Sequence, residues 1–442
     1  MEHNFFHLSK KNLAVFYHDG TGYHETYLNL IRNAKKTIHL QTYIFMMDSF
    51  GSLVHAELMK AAQRGVQVYV LVDSVGSRLL DQKSEMALLN SGVRYVRFNE
   101  MQIKWLYSWG RRLHHKILLV DEEVSMIGGI NVMAGIDEKT HTQQLDFAIY
   151  LKGPVIVRLT QYCQMIYKKS SPQKLDFPPV VDSPPIQDGL DLKILINDWV
   201  YRRWQITRQY VHLTKKAKHE ITIINSYFFP RKTFMKQLVD ASKRGVRVRL
   251  ILPKFSDWPN YILASEFLYA YFLRNGVEIY LWKNSILHGK LATIDESWAT
   301  IGSFNLNYTS YQQNLEMNVN IYSENFTNHL KEEIEEIISN GCEKLNPKNF
   351  IDKCSLKIKF LRFFYYVILS IVANFSIGLI YQEDNNKENK FYDLLRIVGS
   401  LFFFFLGILG IILPIIPGIP FFIISFLLVY QQIISNKKKE GL

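Results

Sequence analysis

The sequence predicts an α/β protein built from a duplicated unit, and three observations carry that prediction. One pattern occurs twice, 174 residues apart: His114-x-Lys116-x4-Asp121-x6-Gly128-Gly129-x-Asn131 and His288-x-Lys290-x4-Asp295-x6-Gly302-Ser303-x-Asn305. A single polar cluster arises by chance, whereas the same eighteen-residue grammar twice marks duplicated domains with one composite site. Ala34 to Phe45 (AKKTIHLQTYIF) also aligns without gaps with Ala217 to Phe228 (AKHEITIINSYF), and Ala62 to Leu71 (AQRGVQVYVL) with Ser242 to Ile251 (SKRGVRVRLI). Strands and helices alternate in both halves, which favours a sheet with helices on its faces.

Each half starts with a strand inside the aligned AKK and AKH segments. A helix follows, with apolar residues three and four apart, and it runs through the RGV sequences into a β-branched run that favours a second strand. Gly92 to Phe98 (GVRYVRF) then parallels Gly276 to Trp282 (GVEIYLW), and the His-Lys-Asp pattern comes next. Between the halves, Lys168 to Leu190 carries KKSSPQK, FPP and SPP, whose prolines interrupt regular structure. The expected plan is a first repeat at 1–167, a linker at 168–190, a second repeat at 191–345, an interfacial or membrane-associated helical region at 346–396 and a membrane hairpin at 397–436.

The last two regions rest on apolar composition. Ile397 to Asn436 contains no Asp, Glu, Lys or Arg, and Pro414, Pro417, Gly418 and Pro420 near its middle would break one helix into two arms, Ile397 to Leu413 and Phe421 to Asn436. Arg396 and Lys437 to Lys439 at its ends place both ends on the cytoplasmic side. Phe363 to Tyr381 is long enough to span, but a third crossing would carry those lysines outside, so a helix lying in the interface is expected.

A formal charge of +12 suits an acidic partner, either nucleic acid or an anionic membrane face. Cys163, Cys342 and Cys354 have neither metal-ligand spacing nor a disulfide framework, in keeping with a reducing cytoplasm, and the amino terminus lacks a signal-peptide layout.

The chemistry follows from the repeated pattern. Residues two apart on a strand share a face, so His114 with Lys116, and His288 with Lys290, project together. Small-residue turns at Gly128-Gly129 and Gly302-Ser303 can return Asn131 and Asn305 to the same place. Two histidines in like surroundings suit a two-step displacement at phosphorus, one attacking while the other protonates the departing alcohol. Lys116 and Lys290 neutralise the developing charge, so the scheme calls for no metal and no cofactor. Asp146 and Glu316, at comparable offsets after the two patterns, are candidates to orient the histidine rings. His115 points to the opposite strand face and is read as packing.

These residues resemble the phospholipase D superfamily, and the passages QTYIF at 41–45, AAQRGV at 61–66, SYFFP at 226–230 and the two patterns are most similar to bacterial cardiolipin synthases. The resemblance implies two repeats in a pseudo-twofold arrangement, each a mixed sheet flanked by helices, with a phosphohistidine intermediate at their interface. It implies that His114, Lys116, His288 and Lys290 are catalytic, with Asp121 and Asp295 grouped beside them in a structural part, and that Asn131, Asn305 and Ser303 bind the substrate phosphate. His114 would be the nucleophile. The implied reaction moves a phosphatidyl group between anionic phospholipids such as phosphatidylglycerol, at a bacterial inner membrane with the repeats facing the cytoplasm.

Hydrolysis of lipid headgroups and cleavage of nucleic-acid phosphodiesters are the alternatives for the same site, and the apolar carboxyl-terminal region argues against nucleic acid. The first repeat also carries an insertion with Lys104, Trp105, Tyr107, Trp109, Arg111 and Arg112, a composition suited to guiding anionic headgroups, to stacking bases and holding phosphates of single-stranded nucleic acid, or to packing as a surface loop.

Overall fold

The computed structural model describes residues 7–18, 20–100, 111–136, 142–173, 175, 177, 179–201, 203–381, 399–405, 425, 427 and 429. Two compact units result, Met1–Ile377 and Gly378–Leu442. In the larger, the first half runs β1 (Ser9–His18), α1 (Gly20–Asn33), β2 (Thr37–Thr42), α2 (Ser49–Gln63), β3 (Gln67–Asp73), α3 (Gln82–Asn90), β4 (Arg94–Phe98), β5 (Arg112–Leu113), β6 (Lys116–Val120), β7 (Val124–Gly128), β8 (Phe147–Lys152) and α4 (Val155–Ser170). The second half runs β9 (Leu190–Asp198), β10 (Arg203–Trp204), α5 (Gln205–Lys216), β11 (Glu220–Asn225), α6 (Lys232–Lys243), β12 (Arg247–Pro253), α7 (Pro259–Arg274), β13 (Glu278–Trp282), β14 (Lys290–Ile294), β15 (Trp298–Gly302), α8 (Tyr308–Gln312), β16 (Asn314–Tyr322), α9 (Glu324–Gly341), β17 (Cys342–Lys344), α10 (Pro347–Asp352) and α11 (Leu356–Tyr381).

The two sheets repeat one topology. In the first, β2, β3 and β4 are parallel, and β6, β7, β8 and β1 continue antiparallel from β2. In the second, β11, β12 and β13 are parallel, and β14, β15, β16 and β9 continue antiparallel from β11. Both sheets are mixed, with β17 added at the β13 edge. The central strands are covered on both faces, so every residue of β2, β6 and β14 is buried, polar residues such as His39 and Gln41 included.

Three apolar clusters divide the core. One belongs to the first half and includes Ile38, Val70 and Leu118; another belongs to the second half and includes Ile223, Leu250 and Ala292. A third combines both halves: Leu113, Leu145 and Phe147 from the first pack with Leu287, Leu315 and Met317 from the second. Fully burying such a side chain is worth roughly 1.5–3 kcal/mol, so the two halves are held by a shared core. Gly289 belongs to it because a Cβ there would collide with the Phe147 ring.

One expected boundary shifts. Helix α4 runs through Ser170, into the expected linker, since the apolar spacing of its buried face continues through Ile166 and Tyr167. The region after 345 opens as a buttress: Phe350, Tyr365, Tyr366 and Leu369 pack on the second-half core, and Arg362 of α11 pairs with Glu266 at 2.8 Å. Among the described residues, no helix is long and apolar enough to cross a membrane. Most of the expected hairpin at 397–436 lies outside the described residues; within it, 399–405 is helical and Ser400 Oγ lies 3.2 Å from Ser425 Oγ.

Candidate active site

His114 and His288 immediately precede the strands that carry Lys116 and Lys290. Backbone bonds between the halves hold both histidines. His114 and His115 donate their N–H groups to the Leu315 carbonyl at 3.0 Å, while His288 and Gly289 donate theirs to the Leu145 carbonyl at 2.8 and 2.9 Å. Leu315 and Leu145 each precede one of the candidate orienting carboxylates. The result is an exchange: His114 Nδ1 meets Glu316 Oε2 at 2.9 Å, and His288 Nδ1 meets Asp146 Oδ2 at 2.6 Å. Each half therefore holds the histidine of the other, an arrangement that spacing within one repeat does not reveal.

Electrostatics favour neutral rings beside ionised carboxylates. Burial pushes His114 down to about 4 despite the Glu316 charge, and burial together with the Lys290 charge lowers His288. Burial alone would raise Asp146 and Glu316, but the facing histidines and lysines outweigh it and hold both below the usual carboxylate values. With Nδ1–H donated to a carboxylate, each ring keeps Nε2 for chemistry. Lys116 and Lys290 are buried and brought down to about 7 and about 8, chiefly by desolvation. Each ammonium donates to the carbonyl of its own histidine, Lys116 to His114 at 2.5 Å and Lys290 to His288.

The asparagines are oriented by their amide oxygens. Asn131 Oδ1 accepts from the Ile44 N–H at 3.1 Å, and Asn305 Oδ1 accepts from the Ser226 hydroxyl at 2.8 Å, which leaves the Nδ2 hydrogens as donors. A small cavity lined by Asn131, Asp146 and His288 joins residues from both halves. A larger one, about 430 Å³, is lined by Tyr17, Asn29, Asp121, Glu123 and Tyr150 and offers no cation to a phosphate.

One expectation needs correction. Ser303, grouped with the phosphate-binding residues, is fully buried and its hydroxyl donates to Glu316 Oε2 at 2.5 Å, so it positions the carboxylate. Asp121 and Asp295, expected in a structural part beside the catalytic residues, follow β6 and β14 at the ends away from the histidines. Asp121 accepts from the backbone N–H groups of Lys35, Lys36 and Thr37, and Asp295 from those of Lys218, His219 and Glu220. Both lie in the left-handed region (φ 55° and 52°), which a short polar side chain tolerates, so these aspartates close turns and splice two strands together. Of the insertion, Arg111 and Arg112 are described, and they are committed inward: Arg111 pairs with Asp198 at 2.6 Å and Arg112 with Asp73 at 3.5 Å, while residues 104–110 lie outside the described residues. His115 packs as expected, with Nε2 2.9 Å from Gln41 Oε1.

Sequence reasoning missed Tyr43 and Asn314. The Tyr43 ring lies 4.9 Å from that of His114, with Lys116 Nζ 5.3 Å from its centroid. Asn314 donates to Glu316 Oε1 at 2.9 Å. In the gapless alignment Tyr43 stands opposite Ser226, so comparing the halves conceals it.

Two sheets of one topology, meeting at paired His-Lys motifs, define a phospholipase D-like fold and site. The family model described as "Cardiolipin synthase, PLD-like domain" matches residues 27–165 and 210–338, and the chain belongs to that family. It is 32% identical over 358 residues to cardiolipin synthase B of Escherichia coli strain K12, covering 78% of this chain and 87% of that protein. It is 28% identical over 368 residues to cardiolipin synthase 1 of Staphylococcus epidermidis strain RP62A, covering 80% and 73%. Among solved structures, phosphatidylserine synthase from Haemophilus influenzae Rd KW20 shares the fold with a TM-score of 0.61 at 15% identity, covering 83% of this chain and 95% of that one.

Proposed function

We propose that the protein is a phosphatidyltransferase that makes cardiolipin from phosphatidylglycerol through a phosphohistidine. The carrying observation is the exchanged pair of histidine–carboxylate contacts, His114 with Glu316 and His288 with Asp146, beside two buried lysines. Family membership and the two synthase relatives supply the substrate class.

His114 attacks phosphorus through Nε2 while the bond to the headgroup glycerol oxygen breaks and His288 gives that oxygen its proton. Glycerol leaves, and a phosphatidyl group remains on His114. The terminal hydroxyl of a second phosphatidylglycerol then gives its proton to the now neutral His288, its oxygen bonds to phosphorus, and the P–N bond returns its electrons to His114. A His114 pushed down to about 4 is unprotonated at neutral pH, the form a nucleophile requires. An anionic phosphodiester between the rings favours the charged forms of His288, Lys116 and Lys290, so substrate restores the acid and the cations that burial had weakened. Asn131 and Asn305 donate their Nδ2 hydrogens to the non-bridging oxygens.

The site sits at the cytoplasmic face of a bacterial inner membrane. The uncharged run 397–436 forms a helical hairpin that anchors it, a reading supported by Ser400 meeting Ser425 across the two arms. Residues 363–381, ahead of that run, lie at the interface as a helix whose Tyr365, Tyr366 and Leu369 rest on the second-half core.

Purified protein with phosphatidylglycerol vesicles and no added divalent metal is expected to give cardiolipin and glycerol in near-equal amounts, abolished by His114→Ala or His288→Ala. Phosphatidic acid as the dominant product would instead make the protein a hydrolase, and cleavage of oligonucleotides without lipid turnover would make it a nuclease.

A further inference from the structure

Several large apolar side chains that the active site does not use remain exposed along one edge of the second repeat. Phe255 and Trp258, in the loop between β12 and α7, are 47% and 55% exposed; Phe360 and Phe363, in the first turns of α11, are 63% and 50% exposed. Exposed apolar residues scattered singly need no explanation, so their grouping decides the matter.

Ring contacts join Trp258 and Phe363 at Phe229, and Phe255 and Phe360 each stand three residues before one of them in the chain. Trp258 packs on Tyr261 (5.9 Å between centroids) and Tyr261 on Phe229 (6.2 Å). From the other side, Phe363 packs on Phe267 (5.7 Å), Phe267 on Tyr366 (4.4 Å) and Tyr366 on Phe229 (5.6 Å). Phe229 in turn bonds its N–H to the Leu306 carbonyl at 2.9 Å, one residue beyond the phosphate-binding candidate Asn305. The loop is also close enough to the chemistry for the Asp257 charge to act on Lys290. The exposed aromatics therefore rim the second-repeat side of the site.

Charge selects the partner. Lys357 and Lys359 are exposed on the same first turns of α11, whereas Arg362 is tied to Glu266. Aromatic rings with cations between them suit the boundary of an anionic bilayer, where rings sit at headgroup depth and ammonium groups meet phosphates.

We infer that Phe255, Trp258, Phe360 and Phe363, with Lys357 and Lys359, form a docking rim that inserts into an anionic phospholipid surface and presents lipid to the active site from the second-repeat side. The inference rests on the lipid reading of that site. It is distinct from anchoring: the hairpin holds the protein at the membrane, and the rim sets how the site meets the bilayer.

The test compares full-length protein with a variant carrying Phe255→Ser, Trp258→Ser, Phe360→Ser and Phe363→Ser, on phosphatidylglycerol in vesicles and on short-chain phosphatidylglycerol below its critical micelle concentration. The expected result is at least a tenfold loss of kcat/KM on vesicles with turnover of the monomeric lipid unchanged, and a smaller loss of the same kind for Lys357→Glu/Lys359→Glu. Equal losses on both substrate forms, or no loss on vesicles, would overturn the rim. Tryptophan quenching by vesicle lipids brominated near the headgroup, compared between the wild type and Trp258→Phe, reads docking without catalysis. A Trp258 share of the quenching supports the rim even if no lipid turns over, in which case only the proposed reaction fails; no Trp258 share overturns the rim even if cardiolipin is made.

Discussion

The two halves of the site perform one task with different parts. On the second-repeat side, Glu316 is fully buried and held three ways, by His114, by the Ser303 hydroxyl and by the Asn314 amide. On the first-repeat side, Asp146 is one methylene shorter, accepts from His288 and from the Phe147 N–H, and stands against Gly129. A Cβ at Gly129 would collide with Asp146 Oδ1, so the shorter carboxylate and the absent side chain belong together. A longer carboxylate needs a hydroxyl to fix it, and a shorter one needs room. The Gly-Gly of the first pattern and the Gly-Ser of the second are thus two matched solutions for aiming a histidine across the interface.

Removing either carboxylate charge should have the largest effect on that comparison. Glu316→Gln leaves a buried amide facing His114 and should lower kcat by about 10³-fold, while Asp146→Asn, with fewer bonds to disrupt, should cost about 10²-fold. Steady-state kinetics on phosphatidylglycerol vesicles checks the order, and a reversed order would mean that His288 is the more dependent ring.

Exchanging the small residues comes next. Gly129→Ser should lower kcat by roughly 10- to 100-fold by displacing Asp146, whereas Ser303→Gly should cost only about tenfold because Asn314 and His114 still hold Glu316. If both exchanges are equal, the two solutions are interchangeable and the matching argument fails.

The pH profile gives a gentler contrast. As pH rises past about 4, His114 loses its proton and kcat/KM should climb. His288 must carry a proton in the free enzyme, and burial and Lys290 lower it from the ordinary value, so kcat/KM should already fall as pH rises through the region below the usual histidine value. Loss of the Lys116 charge near 7 steepens that fall. Activity that keeps rising through pH 8 would assign the proton donor to another group.

Much of this was legible before any coordinates. The duplicated pattern gave the two repeats, the strand order around each motif and the residues His114, Lys116, His288, Lys290, Asp146 and Glu316 as one set. The exchange of carboxylates was not legible, because it depends on Leu315 and Leu145 bonding across the interface and offsets count only within a repeat. Ser303 looked like a phosphate donor because serine beside glycine suits an anion; burial commits it to Glu316 instead. Whether Arg111 and Arg112 guide headgroups or pack was open in the sequence because Asp198 and Asp73, their partners, are distant in it.

The central claim is that one phosphate is handed to a histidine at the repeat interface, and trapping that histidine tests it most directly. Phosphatidylglycerol labelled in its phosphate, turned over briefly and quenched in conditions that preserve phosphohistidine, should leave label on the peptide containing His114, and Glu316→Gln should lower its rate of appearance. Label on the His288 peptide would contradict the assignment of the nucleophile, and rapid turnover with no label on either peptide would contradict the phosphohistidine itself.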